Sequence, residues 1–216
     1  MSDIFMEYMP ITSLGFVQCD VPVDIMDLTK KEINKMISLN FNNSIPYNKN
    51  LAGAIEHEYR LQDVVPELNR FFDLVIPEYW KLQGKPDRAK ELYRITKTNN
   101  TSNDIWVNLQ KKYELNPIHS HVGVLSFVYW VNIPYNIKEE QNRPSSRGNT
   151  LTNPVFSFVF PSIDDKGSIG SYHIHVDKSY EGQMIIFPAW LHHEVTPFYT
   201  SDDYRISVAG NLTPVM

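Results

Sequence analysis

Residues 181–195 read EGQMIIFPAWLHHEV. Glu181-Gly182 is a turn signal, and the run 183–188 is an apolar segment of strand length that stops at a proline. Ala189, Trp190 and Leu191 then make a corner anchored by large apolar side chains. His192 and His193 open a return strand, and neighbouring residues of a strand face opposite ways, so only one of the two can point inward. A buried strand, a short corner and a return strand form the repeating unit of a sandwich, jelly roll or barrel.

The same texture spreads outward from this stretch. Further strand-like runs are YRIT (93–96), IWVNL (105–109), VLSFVYWVNI (124–133), PVFSFVF (154–160), SYHIHV (171–176), EVTPF (194–198) and RISVAGNL (205–212). No helical period separates them, so the C-terminal part reads as one β-barrel-like core. Before residue 93 the pattern is mixed. TSLGFVQC (12–19) reads as a strand. Ile33, Met36 and Ile37 predict a helix near 27–39, with Asp27 or Thr29 as its cap. Leu68, Phe71, Phe72, Val75 and Tyr79 predict a second helix over about 66–82, with Pro66 in its first turn and Pro77 as a possible kink. GKPDRAKE (84–91) is a polar connection or a short helix. The polar segment 134–153, PYNIKEEQNRPSSRGNTLTN, reads as a structureless lid or insertion. The expected architecture is mainly β (α+β), with N-terminal helices packed on one sheet. The chain reads as a single domain over 1–216, its helical part about 20–92 and its barrel about 93–212.

Bulk properties narrow the function classes. The chain has 216 residues, 42% hydrophobic and 21% charged, with a net charge of −5. That supports a sizeable core and shows no basic footprint for nucleic acid. Lys30-Lys31 and Lys111-Lys112 read as solvated pairs. No run of 18 apolar residues is present, so no membrane-spanning helix is expected. MSDIFMEYMP lacks the basic and apolar regions of a signal peptide. Cys19 is the single cysteine, in keeping with a reducing compartment.

Six of the seven histidines fall in three close pairs: His119/His121, His173/His175 and His192/His193, with His57 alone. In a strand, His119 and His121 share one side and could be cis ligands of one metal, although read alone they fit better as residues of a polar face or of a turn after Pro117. His173, His175 and Asp177 also share a side and form a metal-like triplet by spacing; they read as structural or substrate-facing. Arg205 and Ser207 share a strand face. A buried arginine there would need an anion, and a guanidinium with a hydroxyl is a good receptor for a carboxylate; on the surface, Arg205 would pair with Asp202 or Asp203.

Taken together, W-V-N (106–108), H-S-H (119–121), L-S-F-V-Y-W (125–130), G-Q-M-I-I-F-P-A-W-L-H-H-E-V (182–195) and R-I-S-V-A-G-N (205–211) resemble the iron(II)- and 2-oxoglutarate-dependent dioxygenases, in particular a compact group common in bacteria and phages. That resemblance implies a double-stranded β-helix, iron(II) held by two histidines and usually a carboxylate, 2-oxoglutarate as cosubstrate and O2 as oxidant. In the register L-x-H-x-V it places the distal iron ligand on His193 rather than His192, and the 2-oxoglutarate receptor on Arg205 and Ser207. His119 and His121 become the proximal pair, with His121 standing where the superfamily usually has an acid. A shifted register, His121-Val122-Gly123, would put glycine in the acid's place, as in halogenating relatives. Glu194 adjoins His193 and would point away. Asn108 and Tyr129 are read as further cosubstrate contacts, and Trp106 and His175 as substrate-pocket residues.

The expected activity is an oxygenase, with hydroxylation as its default outcome, acting on a small molecule or a protein side chain in the cytoplasm of a bacterial or phage-infected cell. A cupin-type metal enzyme is the main alternative, but it would carry a glutamate shortly after H-x-H, where this chain has Val122, Gly123, Val124 and Leu125. A non-catalytic β-barrel binding protein is the other. Arg205-x-Ser207 is unexplained by either.

Overall fold

A computed structural model describes residues 15–98, 102–146, 148–149, 153–162 and 167–215. Thirteen strands are present among them. In chain order they are β1 (Val17–Asp20), β2 (His57–Arg60), β3 (Tyr93–Ile95), β4 (Lys97–Thr98), β5 (Ser102–Asn103), β6 (Ile105–Gln110), β7 (Asn116–His119), β8 (Leu125–Asn132), β9 (Phe156–Pro161), β10 (Ile169–Ile174), β11 (Gln183–Pro188), β12 (His192–Val195) and β13 (Arg205–Pro214). The helices are α1 (Val23–Ser38), α2 (Val65–Leu82) and α3 (Ile137–Gln141). Residues 12–14 of the first expected strand lie outside the described residues.

The large sheet runs β1–β11–β8–β13–β6–β2, with β3 also paired to β13, and the small sheet runs β10–β9–β12–β7. From β6 onward the chain shares eight antiparallel strands between the two: β6, β8, β11 and β13 in the large sheet, β7, β9, β10 and β12 in the small one. This is the expected double-stranded β-helix.

Side-chain alternation divides the core in two. Ile105, Val107, Leu109, Phe127, Tyr129, Met184, Ile186, Val208 and Leu212 pack toward α1 and α2. Their neighbours Trp106, Val128, Trp130, Ile185, Phe187 and Ala209 face the small sheet, meeting Phe156 and Phe158. Because helices cover one face and the second sheet covers the other, the central strands are buried on both sides. All six residues of β6 are buried, polar ones included. Asn108 and Gln110 therefore stand inside the barrel rather than on its surface.

The first helix begins a turn earlier than its apolar period indicates. Asp27 and Thr29 lie within it, and Pro22 stands at the N-cap without a side-chain capping bond. Thr29 bonds back to the Ile25 carbonyl at 2.8 Å and to the Tyr129 hydroxyl at 2.9 Å. A threonine that satisfies itself against the preceding turn is comfortable inside a helix. The buried Glu32 carboxylate on α1 accepts the backbone N–H groups of Gln62, Asp63 and Val64, tying α1 to the start of α2. The expected structureless segment is also partly ordered. Asn136 caps α3, and Glu140, fully buried, accepts from Tyr199 N–H, Thr200 N–H and the Thr200 hydroxyl. Residues 147 and 150–152 of that segment lie outside the described residues.

Candidate metal centre

Strand pairing brings the histidines together. His193 on β12 is the direct partner of His119, the last residue of β7. His121 lies beyond the end of β7, so the two histidines of H-S-H do not share one strand, as their spacing had indicated. Instead the His121 N–H bonds the Ala189 carbonyl at 2.8 Å, and Ala189 N–H returns to the Val124 carbonyl at 3.1 Å. These bonds stitch the 188–191 corner to the turn before β8. Gly123 makes that turn possible with a φ of +105°, a conformation that suits glycine. One ring nitrogen from each of His119, His121 and His193 then lies within 4.8 Å of the others. The shifted register, which uses His121 and leaves His119 aside, does not match a cluster that contains all three rings.

The hydrogen bonds select the tautomers. His119 Nδ1 lies 2.7 Å from the Pro117 carbonyl, and His193 Nδ1 lies 3.0 Å from the Leu191 carbonyl. A carbonyl only accepts, so both Nδ1 atoms carry the proton. His121 Nδ1 lies 2.8 Å from Asn211 Oδ1, and Asn211 Nδ2 donates to Asp104, which fixes the amide so that Oδ1 is again an acceptor. Each imidazole thereby keeps its Nε2 lone pair for a metal. Burial disfavours the imidazolium forms, and neighbouring imidazoles add repulsion: His119 on His121, both of these on His193, and His192 on His119. These effects lower all three pKa values, His121 to about 4 and His193 well below the ordinary imidazole value. All three are thereby held toward the neutral form. Neutral imidazoles with fixed Nδ1 protons are a donor set suited to a divalent transition metal.

Arg205 opens β13 opposite Gln110. It is 2% exposed. Its Nε and Nη2 donate to Gln110 Oε1 at 3.1 and 2.6 Å, Nη2 donates to the Thr196 carbonyl at 2.9 Å, and Nη1 donates to the Tyr135 hydroxyl at 3.3 Å. These contacts leave one of five guanidinium N–H groups over. No described residue forms an ion pair with Arg205; Asp202 pairs with Lys112 instead. A buried guanidinium held only by neutral acceptors is a receptor for an anion. Ser207 and Asn108 flank it. Asn108 Nδ2 donates to Ser207 Oγ at 3.4 Å, and Asn108 Oδ1 is buried without a partner. Arg205, Ser207, Asn108, Gln110, Trp106 and the three histidines all line one chamber between the sheets. A second cavity of about 330 Å³ opens on the other side of His119 and His121, bounded by Tyr47, Leu51, Trp106 and Val122.

Two expected site residues lie elsewhere. Tyr129 faces the helices, fully buried, with its hydroxyl on Thr29; the alternation of β8 turns Val128 and Trp130 inward and Tyr129 out. His175 is exposed just beyond β10 and lines neither cavity. Its partners in the triplet are occupied as well: His173 bonds the Ser157 and Ser171 hydroxyls, and Asp177 caps a turn through Ser179. Trp106 does line both cavities, and its ring stacks on His121 with centroids 5.5 Å apart. Gln110, Tyr135, Asp104 and Asn211 were not singled out from the sequence. Asn211 had a signal, as a polar residue inside the strand-like run 205–212; Asp104 and Gln110 stand just outside the run read as 105–109.

The family described as "Putative 2OG-Fe(II) oxygenase" matches residues 104–211, half of the chain and the part that contains the histidines and Arg205. The chain belongs to this 2OG-Fe(II) oxygenase family. As a member it is an oxidoreductase that uses iron(II), 2-oxoglutarate and O2, and the histidine cluster fits iron binding. Two solved structures share the fold of this 2OG-Fe(II) oxygenase. A prolyl-4-hydroxylase from Pseudomonas putida aligns with a TM-score of 0.55 at 11% identity, covering 94% of this chain and 95% of that one. A prolyl hydroxylase from Trichoplax adhaerens, solved in complex with a hypoxia inducible factor peptide fragment, aligns with a TM-score of 0.53 at 13% identity, covering 94% and 84%. No curated protein matches the sequence. No helix among the described residues is long and apolar enough to cross a membrane.

Proposed function

We propose that this oxygenase is a hydroxylase in which His119, His121 and His193 hold iron(II), while Arg205, Ser207 and Asn108 hold 2-oxoglutarate. One conjunction supports the reading most: three imidazoles with committed Nδ1 protons share a chamber with a buried arginine that has no anionic partner. A cupin-type site explains the imidazoles and leaves Arg205 without a role.

Bound at the histidines, iron(II) with 2-oxoglutarate and O2 supplies the oxidation of an unreactive C–H bond. The chain's own residues prepare the chamber. Gln110 and the Thr196 carbonyl fix the plane of the Arg205 guanidinium before any carboxylate arrives, so little ordering is left to binding. Asn108 donates to Ser207 and so leaves the Ser207 O–H free to donate to a carboxylate oxygen. Phe156, Phe187, Trp106 and Trp130 wall the chamber and exclude water, which strengthens each polar contact inside it. The second cavity, across His119 and His121, is where a small molecule or a protein side chain would approach. One half-buried free thiol, Cys19, is in keeping with a reducing, cytoplasmic setting.

Arg205→Ala tests the division of labour. In anaerobic titrations, 2-oxoglutarate affinity should fall by at least about thirtyfold, the low end for removing one partner of a buried hydrogen-bonded charge pair. Iron(II) affinity in the absence of cosubstrate should be unchanged. Equal loss of both would assign Arg205 a structural role and remove the basis of the reading.

A further inference from the structure

The three histidines are not held alike. His119 and His193 give their Nδ1 protons to backbone carbonyls. His121 gives its proton to a side chain, Asn211 Oδ1, and that side chain passes the contact on. Asn211 Nδ2 donates to Asp104 Oδ2 at 2.6 Å, the Ser126 hydroxyl donates to Asn211 Oδ1 at 2.7 Å, and the Tyr47 hydroxyl donates to Asp104 Oδ1. All four supporting residues are buried.

The backbone locks this arrangement. Asp104 N–H bonds the Thr96 carbonyl, Thr96 N–H bonds the Asn211 carbonyl, and Asn211 N–H bonds the Asp104 carbonyl, at 2.7, 2.7 and 3.1 Å. Asp104, the residue before β6, and Asn211, within β13, thus sit side by side, whatever their side chains do. No described cation forms an ion pair with Asp104; its carboxylate is met by the hydroxyl and the amide. A buried carboxylate without a cation is expensive unless a positive charge arrives nearby.

The charge count says which one. Two histidines and a carboxylate leave a divalent ion with a net charge of about +1, and three neutral imidazoles leave about +2. We propose that Asp104 is a positioning residue that restores the missing negative charge two contacts beyond the ligating ring, acting through Asn211 on His121. The inference rests on the reading of His121 as a ligand. The group that accepts a ligating histidine's outer N–H fixes its ring and raises its basicity; loss of that direct partner, here Asn211, typically weakens metal binding about 10–100-fold, and a carboxylate behind it polarises the contact.

The test uses cobalt(II) as probe on the metal-free full chain, with affinity read by calorimetry and the ligand field by visible absorption. Asp104→Asn should weaken cobalt(II) binding about tenfold, the low end of that range, and shift the ligand-field bands. In a His121→Ala background the same substitution should change affinity by less than about threefold, because the path to the metal is already cut. Asn211→Ala severs the link from its other end and should reproduce the loss; it serves as well if Asp104→Asn does not fold. Normal binding by Asp104→Asn, or an equal effect in both backgrounds, overturns the role of Asp104 while leaving His121 a ligand. Wild-type affinity in His121→Ala overturns the ligand set, and this inference with it.

Discussion

Tyr129 and Asn108 show how much one step of strand register decides. Both sit in aromatic- or aliphatic-rich strands that are buried on both faces, so hydrophobicity cannot say which side chain looks into the barrel. The structure turns Asn108 inward with an unpartnered Oδ1, and Tyr129 outward onto Thr29. Tyr129→Phe should therefore cost about 1 kcal/mol of stability, the net worth of one buried hydrogen bond, and leave 2-oxoglutarate affinity unchanged. Chemical denaturation and a cosubstrate titration on the same sample check both halves. For His193, strand alternation said only that one of His192 and His193 points inward; the resemblance, through the register L-x-H-x-V, pointed to His193, which is the buried one. Arg205 was legible as a candidate anion receptor, but its supports were not: Gln110 lies far away in sequence, and only the β6–β13 pairing brings it opposite. The same holds for Asp104 and Asn211, which meet through backbone bonds that no local pattern encodes.

At the scale of elements, the segment before β9 illustrates what composition hides. Its polar residues mark it as a loop, yet one of them, Glu140, is its anchor: a buried carboxylate that collects the N–H groups of Tyr199 and Thr200 and pairs with Arg143. Arg143 in turn lies over the Tyr199 ring at 3.6 Å. Glu140→Ala should free α3 from the stretch after β12, leaving two N–H groups unmet and Arg143 unpaired. Stability should fall by about 3 kcal/mol, in the range for breaking a buried charged network. Limited proteolysis should then cut within 134–146 faster than in the wild type; an unchanged cleavage pattern would show that α3 is held by other contacts. The helices were easier to read. The α2 stripe of Leu68, Phe72, Ile76 and Tyr79 is amphipathic over its whole length. The start of α1 was missed because Pro22 caps it without a side-chain bond, and the two residues that look like caps are inside it.

For the molecule as a whole, the double-stranded β-helix followed from the rhythm of short strands and turns, while its covering by helices on one face explains why so many polar groups end up buried. Glu58 is one of them. It lies opposite Asn108 on β2, fully buried, with Oε1 unpartnered, and burial followed by repulsion from Glu114 pushes its carboxyl up to about 7. A carboxyl raised in the folded state contributes stability that is present below the unfolded value near 4.5 and is lost as pH rises through 7. Glu58→Gln should thus be more stable than wild type by about 1–3 kcal/mol at pH 8, with the difference shrinking toward pH 5. Denaturant unfolding at the two pH values measures it, and a difference that does not vary with pH would contradict the burial argument. The central claim is that one chamber between the sheets holds both iron(II) at three histidines and 2-oxoglutarate at Arg205. Anaerobic addition of iron(II) and then 2-oxoglutarate to the metal-free protein tests it most directly. The account predicts a weak visible charge-transfer band that needs both additions and is lost in Arg205→Ala and in His193→Ala; correctly folded wild-type protein that gives no such band would contradict it.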